Sequence, residues 1–562
     1  MNCSPISPAI ARFIEPRPDL GRKRSIWLKI VLRSFSIGLL LPALMIRPAL
    51  SAQRLTISYG LLEGSVSIDS LETYAKTGKA DDELSAYLQY ADKKNLLQLR
   101  QALMTPIPLN LVQVSQFLYT PIGETLLAKL GEVIQQETRN SGFYAIRAAL
   151  ILAASDPQGF TLLSVLRRFP SEAITIDLGR SLEIANQLKN LVNQTQDAVA
   201  LINQQSNHEA TTTPVSNKSL VMNLVKPGSF KWQKQTITLF DVSRQRKFPA
   251  DIYLPQASNP RPVIVISHGL GSDRTSFAYL AEHLASYGFV VAVPEHPGSN
   301  AKQLQALLAG RAQEVTSPRE FIDRPLDVKY LLDELTRLSQ SNPAFQGHLN
   351  LQQIGVVGQS FGGYTALALA GAPINFQQLQ KNCQLLKNSL NVSLLLQCLA
   401  VSLPNSTNYN LSDSRVKAVI AIDPIDSSIM GQASLEQIKI PVMIVAGSAD
   451  TIAPALPEQI QPFTWLTTQN KYLALINGGT HFSTIGGSPN DPGAIPVPEQ
   501  AVGPSPVLAR RYINVLNLAF FQTYVAQQPS YQPYLSANYV NTISREPLPL
   551  SLVRLLILRQ RS

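Results

Sequence analysis

The chain has 562 residues, 45% hydrophobic and 15% charged, a globular composition with room for two or three domains. Its formal charge of +10 is concentrated at the start: residues 1–52 hold eight basic and two acidic side chains, and the rest holds 40 basic and 36 acidic. That near-balance excludes a basic surface built to grip nucleic acid.

In chain order, a basic run from Arg22-Lys23-Arg24 to Arg33 precedes the apolar stretch from Ile37 to Ile46, and small residues follow at Ala49, Ser51 and Ala52. This is the pattern of a secretory signal over 1–52, with cleavage expected near Ala52 and export to the periplasm or beyond. Pro42 and Arg47 leave the apolar run too short for a comfortable transmembrane helix; an uncleaved anchor and a mis-assigned start are the alternatives. Cys3 would leave with the signal, so Cys383 and Cys398 remain. An even pair in an exported chain points to a disulfide, the alternative being two buried thiols.

Residues 53–203 read as a separate all-α domain. Ser67-Ile68-Asp69-Ser70 is a helix start, and Leu84, Tyr87, Leu88 and Ala91 recur at helical spacing. No cluster of His, Cys or paired acids marks a site there. Residues 204–228 are polar and turn-rich at their start and read as a linker, with His208 in a solvated loop.

From 229 to 528 the texture changes to strands alternating with helices. Gln235–Phe240 and Ala250–Leu254 alternate like an antiparallel edge. Continuous apolar runs at Pro262–Ile266, Phe289–Val293, Ile354–Val357, Val419–Ile422, Val442–Val445 and Tyr472–Ile476 predict a mostly parallel sheet covered by helices, an α/β fold. Ser505 as a cap and Pro506 in the first turn open a closing helix to about Gln527. In the tail, 529–562, the apolar run Leu548–Leu558 is expected to dock on the helical domain or to touch a membrane surface.

Gly358-Gln359-Ser360-Phe361-Gly362 matches the nucleophile-elbow pattern G-x-S-x-G. It follows the strand ending at Val357 and precedes a small-residue helix, the context in which a strained turn lifts a serine hydroxyl above the carboxyl edge of a sheet. A serine needs a base, and His481, just after the last strand, has the right setting. His348 reads as a loop residue, His283 as lying on a surface helix, and His296 as able to line the pocket. Asp450 is the favoured orienting acid and Asp423 its rival; each follows a strand and precedes the histidine. Phe361, and Leu270 in Ser267-His268-Gly269-Leu270-Gly271, are placed to offer oxyanion-hole amides, His268 being structural. No metal or organic cofactor is required. Residues 372–413 read as a cap insertion, its leucines either a lid for acyl substrates or simply cap core, with Cys383 opposite Cys398 in a helical hairpin.

Four segments, Phe240-Asp241-Val242-Ser243-Arg244-Gln245-Arg246, Ser267-His268-Gly269-Leu270-Gly271, Glu295-His296-Pro297-Gly298 and Arg324-Pro325-Leu326-Asp327-Val328, resemble signatures of the predicted dienelactone-hydrolase and platelet-activating-factor acetylhydrolase-like branch of the α/β-hydrolases. The elbow departs from that group in carrying Gln359 where histidine is commoner. Residues 53–205 resemble an uncharacterised helical domain that precedes such hydrolase domains in some bacterial proteins. The resemblance implies hydrolysis of a carboxylic ester, with the short or oxidised acyl chain of a phospholipid as one candidate. It also keeps Asp423 open, because the acetylhydrolase relatives take their acid from the position resembling it. The expected partner is a small-molecule or lipid ester, with peripheral membrane contact an open option. Hydrolysis of lactones, amides or polyesters, and a silent envelope scaffold, are the competing readings.

Overall fold

The computed structural model describes residues 51–558 apart from 90–91, 213–222, 387–388, 406–408 and 487–498. The expected signal up to Leu50, with Cys3, lies outside the described residues. The first element is a hairpin, not a helix: β1 (Arg54–Tyr59) and β2 (Leu62–Ser67) pair antiparallel around Gly60, whose φ is 60°. β3 (Ile134–Gln136) and β4 (Ala173–Asp177) complete a four-stranded sheet in the order β2-β1-β4-β3. The expectation of an all-α N-terminal domain is corrected accordingly. These strands bury little, with Ile57 and Tyr59 exposed, so their alternation was faint beside the leucine-rich helices that follow. The first of those helices, Ile68–Thr77, is capped as expected by Ser67, which accepts from the Ser70 amide.

A second correction concerns residues 204–212, which are not linker but the end of a helix, Leu178–Thr212. Its polar composition hides a buried stripe at every fourth position, Ala198, Ile202, Ser206 and Ala210. His208 is therefore an exposed helical residue. Ala198 and Ile202 pack into the same apolar cluster as the main sheet, which ties this helix to the sheet's core, while residues 52–174 form apolar clusters of their own.

That sheet has nine strands: β5 (Trp232–Asp241), β6 (Arg246–Pro255), β7 (Arg261–Ser267), β8 (Val290–Pro294), β9 (Leu349–Gln359), β10 (Val416–Ile422), β11 (Val442–Gly447), β12 (Lys471–Ile476) and β13 (Leu550–Val553). Their order is β13-β12-β11-β10-β9-β7-β8-β6-β5. Strands β8, β7, β9, β10, β11 and β12 run parallel, and β5, β6 and β13 are antiparallel. The parallel strands are buried on both faces because helices cover each side, which is why they read as unbroken apolar runs. Among the covering helices are Ala278–Ser286, Glu320–Ser341, Phe361–Leu369 and Pro506–Tyr524. Ser505 makes no side-chain cap bond to the last of these.

The tail is also redefined: β13 adds an edge strand to the main sheet. Its Leu552 amide donates to Ser206 Oγ (3.1 Å) and Ser551 Oγ donates to Asn203 Oδ1 (2.8 Å), so it docks on the helix Leu178–Thr212. In the cap, a disulfide joins Cys383, within the helix Phe376–Gln384, to Cys398, just after the short helix Leu394–Gln397. Leu394, Leu395 and Leu396 are buried, and Leu396 packs into the main apolar cluster. Among the described residues no helix is long and apolar enough to cross a membrane.

If Leu178–Thr212 is integral to this core, Ile202→Ala will lower unfolding free energy by about 2–4 kcal/mol in denaturant titration. A change below about 0.5 kcal/mol would mark the helix as a loose tether.

Candidate active site

β9 ends at Gln359 and a helix starts at Phe361, leaving Ser360 alone in the turn at φ 56° and ψ −116°. Such a backbone costs a non-glycine residue about 1–3 kcal/mol. Crowding on either side maintains it: a Cβ on Gly358 would lie 2.0 Å from the Gly362 carbonyl oxygen, and one on Gly362 would lie 2.0 Å from that of Ser267. The Ser360 amide donates to the Ile422 carbonyl of β10 (2.8 Å), which seats the turn at the carboxyl edge of the sheet.

The loop after β7 crosses beside this serine, with the position of a Cβ on Gly269 only 3.4 Å from Ser360 Cβ. Among the described residues, neither the Leu270 nor the Phe361 amide N–H has a hydrogen-bond acceptor. Leu270 follows that glycine and Phe361 follows the serine.

His481 follows β12. Its Nδ1 lies 2.6 Å from Asp450 Oδ2, and Asp450 Oδ1 accepts from the amides of Ile452 and Ala453 (both 2.8 Å). With Nδ1–H donating to that carboxylate, the neutral ring keeps Nε2 as its acceptor. Burial pulls the His481 pKa down, but the Asp450 carboxylate outweighs it and the net shift is upward. Asp423 stands behind them, accepting the Gly447 amide on Oδ1 (2.8 Å). Burial, then the charge of Asp450, pushes its carboxyl well above the ordinary range. Atoms of Asp423, Asp450 and His481 lie within 4.8 Å of one another, a grouping that could hold a metal ion. Both Asp450 oxygens, Asp423 Oδ1 and His481 Nδ1 are, however, already engaged in hydrogen bonds.

Ser360 and His481 form no hydrogen bond with each other among the described residues. Gln359 links their segments, its buried Nε2 donating to the His481 carbonyl (3.0 Å). The sequence had assigned this glutamine no role, and its place next to the serine was the available signal. Clefts of about 730 and 600 Å³ lie beside the cap and beside Tyr472, and neither is lined by Ser360 or His481.

The remaining histidines are structural or peripheral. His283 is buried on its helix, not on the surface as expected, and His296 is buried beneath the site instead of lining an open pocket. His268 Nδ1–H donates to the Gly269 carbonyl (2.8 Å) and its Nε2 accepts from the His296 amide (3.1 Å), which fixes a neutral tautomer. Burial, aided by Arg324, pushes its pKa down to about 3.

Comparison with known proteins agrees with this architecture. Residues 51–177 match the family described as "Alpha/beta hydrolase of unknown function (DUF1400)", and residues 250–323 match "Platelet-activating factor acetylhydrolase, isoform II". Cutinase 2 of Thermobifida cellulosilytica is 25% identical over 271 residues, covering 46% of this chain and 75% of that protein. Cutinase cut1 of Thermobifida fusca is 25% identical over a stretch covering 46% of this chain and 61% of its own. The platelet-activating factor acetylhydrolase of Cavia porcellus is 26% identical over 154 residues, 22% of this chain and 34% of that one.

The Asp450–His481 contact makes a direct prediction. In wild type the imidazole will titrate above 6.5 by NMR, and Asp450→Asn will lower that midpoint by at least about one pH unit; an unmoved midpoint would mean that Asp450 does not set the charge of the ring.

By its strand order, its elbow turn and these matches, the chain is an α/β-hydrolase-fold protein, similar in sequence to cutinases and platelet-activating factor acetylhydrolases.

Proposed function

We propose that the protein is an exported serine hydrolase of carboxylic esters, with Ser360 as nucleophile, His481 as base and Asp450 as the orienting acid. The observation that carries the reading is the 2.6 Å Asp450–His481 contact in the loops flanking a serine at positive φ. His481 Nε2 takes the hydroxyl proton as Ser360 Oγ adds to the ester carbonyl, while the Leu270 and Phe361 amides receive the oxyanion. The imidazolium then protonates the leaving alcohol, and the neutral ring activates water to release the acid and regenerate the serine.

Asp450 is preferred over Asp423 on hydrogen bonding. Asp450 touches the imidazole, whereas Asp423 is held at a raised pKa by burial and by its neighbour's charge. A protonated Asp423 adds no second negative charge beside the ring. The substrate class is an acyl ester; the similarity to cutinases and acetylhydrolases supports testing polyester and phospholipid esters within it. Export is supported by the basic-apolar-small start and by the disulfide. Ala52 is buried in the N-terminal core. A cut after Ser51, with Ala49 and Ser51 as the small residues, keeps it there.

A fluorophosphonate probe will label wild type at Ser360 and leave Ser360→Ala unlabelled; an unlabelled wild type would favour a silent binding protein. On p-nitrophenyl esters Asp450→Asn will cost on the order of 10³–10⁴ in kcat, and Asp423→Asn, a near-isostere of a protonated carboxyl, less than about tenfold; the reverse order would reassign the acid. Because the base must be neutral and its pKa is raised, kcat/KM will rise with pH through a limb above 6.5.

A further inference from the structure

The four segments that carry the sequence resemblance are far apart in the chain, yet they converge on one buried cluster behind the loop Ser267–Gly271. At its centre is Arg324, fully buried in the helix Glu320–Ser341. Its Nη2 donates to the His268 carbonyl and, at 3.4 Å, to Ser267 Oγ. Nη1 donates to Ser299 Oγ (2.7 Å) and Nε to Thr365 Oγ1 (3.3 Å). The guanidinium carbon lies 4.6 Å from the centre of the Phe361 ring. One cation thus grips the peptide just before Gly269-Leu270 and the side chain of Phe361, the two stretches whose amides flank Ser360.

Acids surround the cation without pairing with it directly. Glu320 Oε2 accepts from Ser299 Oγ (2.7 Å) and Oε1 pairs with Arg246 (2.8 Å). Asp327 accepts from Arg246 (2.7 Å) and Arg244 (2.9 Å), and its Oδ2 lies 2.9 Å from His296 Nδ1. His296 Nε2 in turn lies 3.0 Å from Ser267 Oγ. Ser267, His296 and Asp327 therefore repeat the hydrogen-bond order of a catalytic triad. All three side chains are fully buried, and Ser267 Oγ also accepts from Arg324, so this set has neither an approach for substrate nor a free nucleophile.

We propose that Arg324 is a positioning residue for the oxyanion hole, aligning the Leu270 and Phe361 amides together, with the Asp327–His296–Ser267 chain holding the loop from below. The inference rests on the ester-hydrolase reading. The His268 carbonyl belongs to the peptide preceding Gly269, so fixing it limits the rotation available to the Leu270 amide two residues on. Stacking on Phe361 fixes the first residue of the helix whose amide is the other donor. Removing one donor from such a hole costs on the order of 10²–10³ in kcat, and a residue that places two falls in the same range.

The test compares p-nitrophenyl butyrate with its thionoester, whose sulfur accepts hydrogen bonds poorly and so gains little from the hole. In Arg324→Gln, kcat on the oxoester will fall about 100-fold while KM changes less than about threefold, and the oxoester-to-thionoester rate ratio will shrink. Arg324→Lys, which retains the charge but not the fork of donors, will lie in between. The limb governed by His481 will stay at the same pH. Ser299→Ala removes one acceptor while leaving the arginine in place; it will shrink the ratio by a few-fold even if Arg324→Gln fails to fold. Folded variants that lose rate on both substrates in proportion, with the ratio unchanged, would overturn the positioning role while the hydrolase reading stands. A wild type inert to both esters and to the fluorophosphonate would overturn the two together.

Discussion

A positive φ at Ser360 is tolerable only because three neighbouring strands and a helix leave the turn nowhere else to go. The serine amide is committed to β10, Gly358 and Gly362 touch where any side chain would clash, and the loop after β7 passes within van der Waals range. The strain of about 1–3 kcal/mol is small against the apolar area buried by the parallel strands, so the sheet enforces it with ease. Every other part of the candidate site is referred to that turn. Asp423 follows the strand that accepts the Ser360 amide, Gln359 holds the histidine loop, and Leu270 lies on the loop pressed against it.

Two carboxyl groups beside one imidazole present an electrostatic problem that burial resolves. Both cannot ionise cheaply in so little solvent. Asp450 gains two amide donors and the ring N–H, while Asp423 gains a single amide. With fewer donors, Asp423 is driven toward its neutral form by burial and by the charge of its neighbour. A similar economy operates beneath the loop Ser267–Gly271, where Arg244 and Arg246 share the acids of one helix and Arg324 is held by a carbonyl and hydroxyls. Truncating one member of such a set leaves others uncompensated in a dry interior, which makes its residue types hard to exchange singly.

Much of this was legible in the sequence because the signals were local. Each parallel strand announced itself as an apolar run, and G-x-S-x-G between a strand and a small-residue helix marked the turn. His481 and Asp450 were legible from their positions just after strands. Periodicity failed where it was weak or masked: the hairpin Arg54–Ser67 buries too little to stand out, and the stripe Ala198, Ile202, Ser206, Ala210 is diluted by glutamine and asparagine. Long-range pairing was not accessible at all. Nothing near Leu550 specifies that it will lie beside β12, and nothing near Arg324 indicates that its acceptors come from residues 267, 268, 299 and 365. Those contacts depend on topology, which a single sequence encodes only through the whole fold.

The placement of β13 has a bearing on how the molecule is made. β12, the neighbour it covers, lies more than seventy residues earlier, and the helix Leu178–Thr212 that receives it lies more than three hundred residues earlier. Until Leu550–Val553 has been delivered, β12 keeps an unpaired edge and the helix an unfilled polar notch at Asn203 and Ser206. A chain cut before Leu550 therefore has an adhesive border exposed, and the sheet closes only once that segment has reached β12.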